Sequence, residues 1–207
     1  MITKKLRKFC KGFLLFAVLI LFTAFIFSSC QPAAVDDGDD DDADSLLMTE
    51  VKAMMVNNRD YYSVASGIFK DAKKTIVGIM YDMKFYSGDD NDVMKLIDEL
   101  VIAAARGVEV RIVLEQSDWN DDVSADNYET GAYLENYGID VRYDPLTITT
   151  HCKTFTVDTN LVLVGSTNWS YSAVSSNNEA NVLLEGREIA ESFEEYFQTI
   201  WNNSYNR

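Results

Sequence analysis

The 207 residues carry a formal net charge of −15 and an apolar share of 47%, enough for one domain with a sizeable core and an appendage. That balance argues against a chain-wide basic surface of the kind that binds polyanions. Only Cys10, Cys30 and Cys152 occur, too few for a disulfide framework.

The appendage comes first. Lys4, Lys5, Arg7, Lys8 and Lys11 precede an uncharged run from Gly12 to Phe27, followed by Ser28, Ser29 and Cys30. A basic stretch, an apolar stretch and small residues form an export signal over residues 1–29. The run lies at the short edge of the ~17 to 25 residues that span a bilayer, so an uncleaved signal anchor stays open beside cleavage. The "FSSC" ending resembles the lipobox of bacterial lipoproteins, which implies lipidation of Cys30 and a domain tethered outside the cytoplasmic membrane. Seven aspartates between Asp36 and Asp44 make residues 30–44 a self-repelling, extended tether. The rest, 45–207, is the expected domain and is itself acidic.

From Ser45 the pattern alternates. Residues 47–56 read as a strand, 59–72 as a helix, and 74–83 as a strand rich in β-branched residues. Residues 91–107 form the clearest helix, capped near Asp89 to Asn91 and stopped at Gly107, and 108–117 follow as a buried strand. A polar loop from Ser117 to Asp126, a short helix over 127–138 and a strand over 139–144 come next. Strand 179–186 and an amphipathic helix over 187–204 close the chain. This alternation predicts an α/β fold: a mixed, largely parallel sheet with helices on both faces.

Between strand 139–144 and strand 179–186 lies "HCKTFTVDTNLVLVGSTNWS", His151 to Ser170, with the only histidine of the chain. Strand alternation sets His151 and Lys153 on one face and Cys152 on the other. A turn at Thr159 and Asn160 returns Ser166 and Asn168 toward them. Such a set suits a phosphodiester. Lysine neutralises non-bridging oxygens, Asn and Ser donate hydrogen bonds, and a neutral imidazole attacks phosphorus in line. With no second His or Cys nearby, no metal site is expected.

The spacing His151-x-Lys153, Asp158, then Gly165-Ser166-x-Asn168, with Glu179 downstream, resembles the HKD motif of the phospholipase D superfamily. The helix and strand before the motif are similar to those of that family as well. The resemblance implies a phosphohistidine at His151, phosphate binding by Lys153 and Asn168, assistance from Ser166, orientation of a histidine by Glu179, and a structural part for Asp158. It implies no cofactor. The family chemistry takes two histidines, so this single motif implies a homodimer with the site on its two-fold axis. The expected substrate is a nucleic acid or a phospholipid; the alternative is a membrane-tethered scaffold that has kept the fold without turnover.

Overall fold

A computed structural model describes residues 49–207, which belong to one compact unit, Leu47–Arg207. The predicted signal, the acidic tether and Cys30 lie outside the described residues. Among those described, no helix is long and apolar enough to cross a membrane.

Seven strands and five helices follow in the order β1 (Lys52–Asn57), α1 (Asp60–Asp71), β2 (Thr75–Met80), α2 (Asp92–Ala105), β3 (Glu109–Leu114), α3 (Asp121–Glu135), β4 (Asp140–Tyr143), β5 (Lys153–Val157), β6 (Leu161–Gly165), α4 (Tyr171–Ser175), β7 (Ala180–Glu185) and α5 (Arg187–Asn203). The strands form one sheet in the order β1-β7-β6-β5-β2-β3-β4. The sheet is mixed, as expected. Parallel pairing is confined to β2–β3 and β3–β4, whereas the other four neighbours pair antiparallel. Five of the seven strands nonetheless run in one direction, with β5 and β7 opposed.

Helices cover both faces. Tyr61, Ala65, Ile68 and Phe69 of α1 and Val93, Leu96, Ile97 and Leu100 of α2 bury against Ile76, Ile112 and Phe155 in the larger core. Residues of opposite parity, Val77, Ile79 and Val113, meet Phe197 and Trp201 of α5 on the other face. The period of two along β2 thus divides the core in two. Helix α2 begins where Asn91 accepts the Met94 N–H at 3.0 Å and ends before Gly107 at φ 90°, a left-handed stop of the expected kind.

Helix α3 begins at Asp121, so half of the expected polar loop is helical. Its buried side chains include Ser124, Asn127, Thr130 and Gly131, which erase the apolar period that sequence reading depends on. Gly131 is required: a Cβ there would lie 2.0 Å from the Tyr143 hydroxyl. The short α4 was not anticipated; Ser170 caps it by accepting the Ala173 N–H.

The β5–β6 hairpin turns on Asp158 and Thr159, both at positive φ (54° and 51°), with Asn160 N–H donating to Val157 C=O at 3.1 Å. Two central residues at φ > 0 are the signature of a type I′ turn. A β-branched threonine there is unusual. Neighbours hold it in place: Asp158 accepts the N–H groups of Lys73, Lys74 and Thr75 at 2.7–3.0 Å, and the Thr159 hydroxyl donates to Glu194 of α5.

Candidate active site

Topology gathers the site at one end of the sheet. The parallel strands β2, β3 and β4 end at Met80, Leu114 and Tyr143, so Tyr81, Glu115 and Asp144 follow at the same edge. There open α/β sheets hold their ligands. The antiparallel β5 starts at that edge, Lys153 opposite Met80, with His151 just before it. Strand β6 ends there at Gly165, and β7 begins there after Glu179.

His151 and Lys153 converge on Tyr81. The imidazole meets the tyrosine ring edge-on with centroids 4.5 Å apart, and Lys153 Nζ lies 4.8 Å from the same ring centre. Lys153 is 8% exposed and its Nζ donates to the His151 carbonyl at 3.0 Å. Burial pushes the Lys153 ammonium down, with Asp82, Glu179 and Glu115 among the groups that oppose the shift. Burial and then the neighbouring Lys153 charge also push His151 below its ordinary value, which keeps the imidazole neutral and nucleophilic near neutral pH.

The other wall is built from β6 and β7. Gly165 lies against Asn181: a Cβ would come 2.2 Å from its Oδ1 and 2.5 Å from the Ala180 carbonyl oxygen. Buried Asn181 in turn accepts the Thr167 N–H and donates to the Thr167 hydroxyl and the Val56 carbonyl. Trp169 is fully buried, stacked on Phe155 at 4.9 Å and donating to the Tyr61 hydroxyl at 2.9 Å. Between these anchors stand Ser166 and Asn168. The Ser166 hydroxyl donates to the Glu179 carboxylate and accepts the Ala180 N–H at 3.0 Å. Asn58, at φ 51°, fixes Glu179 from the far side: it accepts the Glu179 N–H at 2.8 Å and donates its own N–H to the Glu179 carbonyl at 3.0 Å. Asn168 Oδ1 is buried without a partner.

The six predicted positions therefore divide. His151 pairs with Lys153, Ser166 with Glu179, and Asn168 stands on the same edge. Asp158 occupies the opposite end of β5, in the turn. Within the protomer the His151 ring donates no hydrogen bond to Glu179; burial and Lys153 alone shift its ionisation. Cys152 points to the α5 side, half-buried, with Sγ 3.8 Å from the Tyr196 hydroxyl. Among the described residues no three His, Cys, Asp or Glu side chains are placed to hold one metal ion.

Sequence reading missed the carboxyls beneath the site. Asp82 is buried with Oδ1 unpartnered, and burial raises it to about 6. Glu115 and Asp144 are buried as well, at 1% and 0% exposure. Asn127, also fully buried, ties the strand ends together by donating to the Tyr81 and Glu115 carbonyls and accepting the Met83 N–H. The available signal was an acidic residue directly after an apolar strand, as in "IMYD" and "IVLE".

Beside His151 opens a cavity of about 570 Å³, lined by Pro145, Ile148, Cys152, Tyr196 and Ile200 among others. Ile148 and, near it, Trp119 are each 64% exposed.

Residues 67–201 match the sequence family described as cardiolipin synthase, PLD-like domain. A mitochondrial cardiolipin hydrolase of Xenopus tropicalis is 30% identical over 102 residues, 49% of this chain and 46% of that protein. A phospholipase D of Rickettsia prowazekii is 37% identical over 94 residues, 45% of this chain and 43% of that one. The match thus spans less than half the length of these relatives. The crystal structure of Nuc, a phospholipase D family member from Salmonella typhimurium, superposes with a TM-score of 0.65 at 25% identity, covering 76% of this chain and 99% of Nuc. The matched segment takes in more than half of the chain, both walls of the site and the strands that position them: the chain belongs to the family of phospholipase D-like domains.

Proposed function

We propose that the protein hydrolyses phosphodiesters through a phosphohistidine at His151, in a site completed by a second copy of the chain. The observation that carries this reading is the convergence of His151 and Lys153 on Tyr81, on the sheet edge that also presents Ser166, Asn168 and Glu179. Neutral His151 attacks phosphorus; the P–N bond forms as the P–O bond to the leaving alcohol breaks. The partner's His151 protonates that oxygen, then takes a proton from the water that cleaves the P–N bond and releases the phosphomonoester. Lys153 and the Asn168 amide stabilise the charge on the non-bridging oxygens. Glu179, unengaged with the histidine of its own protomer, is free to orient the imidazole across the two-fold axis.

A phospholipid is the substrate class we favour. Asp82, Glu115, Asp126 and Glu179 surround two lysines, of which Lys84 is already paired with Asp126. One phosphodiester suits that field, whereas a polyanion needs several cationic contacts. The cardiolipin hydrolase and phospholipase D relatives favour the same class. An N-terminal anchor, lipidated at Cys30 or left as an uncleaved span, would hold the domain at the extracytoplasmic face of a membrane, beside such a substrate. Full-length protein in detergent, offered cardiolipin vesicles, DNA and RNA, is expected to release phosphatidic products and to lose this activity in His151→Ala. Cleavage of nucleic acid alone would establish the nuclease reading, and binding without hydrolysis of any of the three would establish the scaffold reading.

A further inference from the structure

The segment that delivers His151 to the site is stapled at both ends by two consecutive residues, Glu115 and Gln116, just beyond β3. At its start, Asp144 N–H donates to the Leu114 carbonyl at 3.2 Å, Asp144 Oδ1 accepts the Gln116 N–H at 2.8 Å, and Gln116 Nε2 donates to the Asp144 carbonyl at 2.7 Å. At its end, Glu115 Oε2 accepts the N–H of Thr150 at 2.6 Å, one residue before His151. Between the staples, residues 146–149 are exposed, and the backbone makes one turn bond from Ile148 N–H to Pro145 C=O. The Glu115 contact thus fixes the backbone one residue before His151, as the Tyr81 N–H to Cys152 carbonyl bond at 2.9 Å fixes it one residue after.

Two buried carboxyls meet at this staple. Asp144 Oδ2 is buried without a donor, and Asp144 Oδ1 holds the N–H of Gln116, the residue next to Glu115, which is itself buried. Two carboxylates in such a place cannot both be ionised without a large cost, and one shared proton removes the repulsion and gives the orphaned oxygen a donor. We propose that Glu115 is a positioning residue for His151, acting as the protonated half of a carboxyl pair with Asp144 that locks Thr150 in place. Burial raises Glu115 to about 7; the Thr150 N–H acts against this, and Asp144 and Asp118 add to it. From the other strands Tyr81 and Lys153 also feel its charge, and α3 presents the Tyr128 hydroxyl to the neighbouring Gln116. Near neutral pH Glu115 therefore loses its proton, and the staple loosens.

Its activity arm rests on the proposed hydrolysis; its stability arm does not. Glu115→Gln keeps an acceptor for Thr150, donates an N–H to Asp144 Oδ2 and cannot ionise, so it imitates the protonated pair. With the full-length chain, we expect Glu115→Gln to keep at least a third of the wild-type rate on cardiolipin vesicles at pH 6. The ratio of variant to wild-type rate should then rise at least threefold by pH 8.5. Glu115→Ala should lose at least tenfold in kcat at pH 6 with little change in KM. In thermal denaturation the wild type should lose stability relative to Glu115→Gln as pH rises from about 4.5 to about 7. That sign follows because the folded state alone keeps the Glu115 proton over this interval, and the difference isolates Glu115 from Asp82, whose raised value acts the same way. A Gln-to-wild-type rate ratio independent of pH, or a Tm difference independent of pH, would overturn the proposal. If no substrate is turned over, the denaturation series still decides it, and the failure then lies with the hydrolysis reading.

Discussion

The hydroxyl of Ser166 donates to the carboxylate of Glu179, thirteen residues further along the chain, and joins the end of β6 to the start of β7 at the site. Ser166 thereby fixes where the Glu179 charge sits. Replacing it by alanine leaves the carboxylate held only by Asn177 Nδ2, at 3.2 Å on its other oxygen. Ser166→Ala should cost roughly 1.5–3 kcal/mol of transition-state stabilisation, the range of a hydrogen bond to a charged group, which is a loss of about ten- to 150-fold in kcat. Glu179→Ala should cost more. Steady-state rates of the two folded variants check the order, and a Ser166→Ala loss equal to that of Glu179→Ala would show that the serine acts directly.

Lys153 and Asn168 stand on opposite walls of the candidate site. Lys153→Ala and Asn168→Ala should each lower kcat by about 10²- to 10³-fold, the effect of a lost donor to developing negative charge. Lysine at 153 is nearly buried, so Lys153→Met is the control that keeps the volume. Its rate should match that of Lys153→Ala, with the circular dichroism of the wild type.

The depressed ionisation of His151 sets the acid limb of the rate profile. The nucleophile must be neutral, so kcat/KM should fall with acidification only below the ordinary histidine value of ~6.5. Its contribution to stability has a definite sign. The folded state holds fewer protons at this position than the unfolded chain between the two pKa values, so stability is lost as pH falls through that window. Nuclear magnetic resonance titration of the single histidine measures the value directly, and one above the unfolded value would contradict the burial argument.

Asp158 is expected to affect stability and leave chemistry unchanged. Its carboxyl accepts the N–H groups of Lys73 and Lys74 in the connection between α1 and β2 and of Thr75 at the start of β2, and although burial acts against it, these bonds hold it below the usual carboxylate range. Asp158→Ala leaves those donors without their acceptor and removes a residue that tolerates φ > 0, for a loss of ~2–4 kcal/mol in unfolding free energy. Urea denaturation checks this, and kcat of the folded fraction should stay within about twofold.

Apolar patterning made the strands and the long helices legible, and the spacing from His151 to Glu179 made the site residues nameable. Helix α3 was half missed because it buries Ser124, Asn127 and Thr130 in place of an apolar stripe. The hairpin was placed correctly but its turn was shifted by one residue, since threonine at positive φ depends on Glu194 of a helix far along the chain. The carboxyls Asp82, Glu115 and Asp144 left only the trace of an acidic residue after an apolar strand, because their burial follows from the order of strands in the sheet. Convergence on Tyr81 depends on β5 pairing with β2, across more than seventy residues of chain.

Whether one site uses His151 from two copies of the chain is decided by subunit mixing. Wild-type and His151→Ala chains are combined at a constant total concentration and brought to exchange equilibrium, verified by mass spectrometry of the dimers. If both histidines belong to one site, heterodimers are inactive and activity falls as the square of the wild-type fraction, to about a quarter at equal mixing for random pairing of closed dimers. A linear fall, to about half at equal mixing, would contradict the shared site and leave the single imidazole to act as nucleophile without a second histidine as its acid.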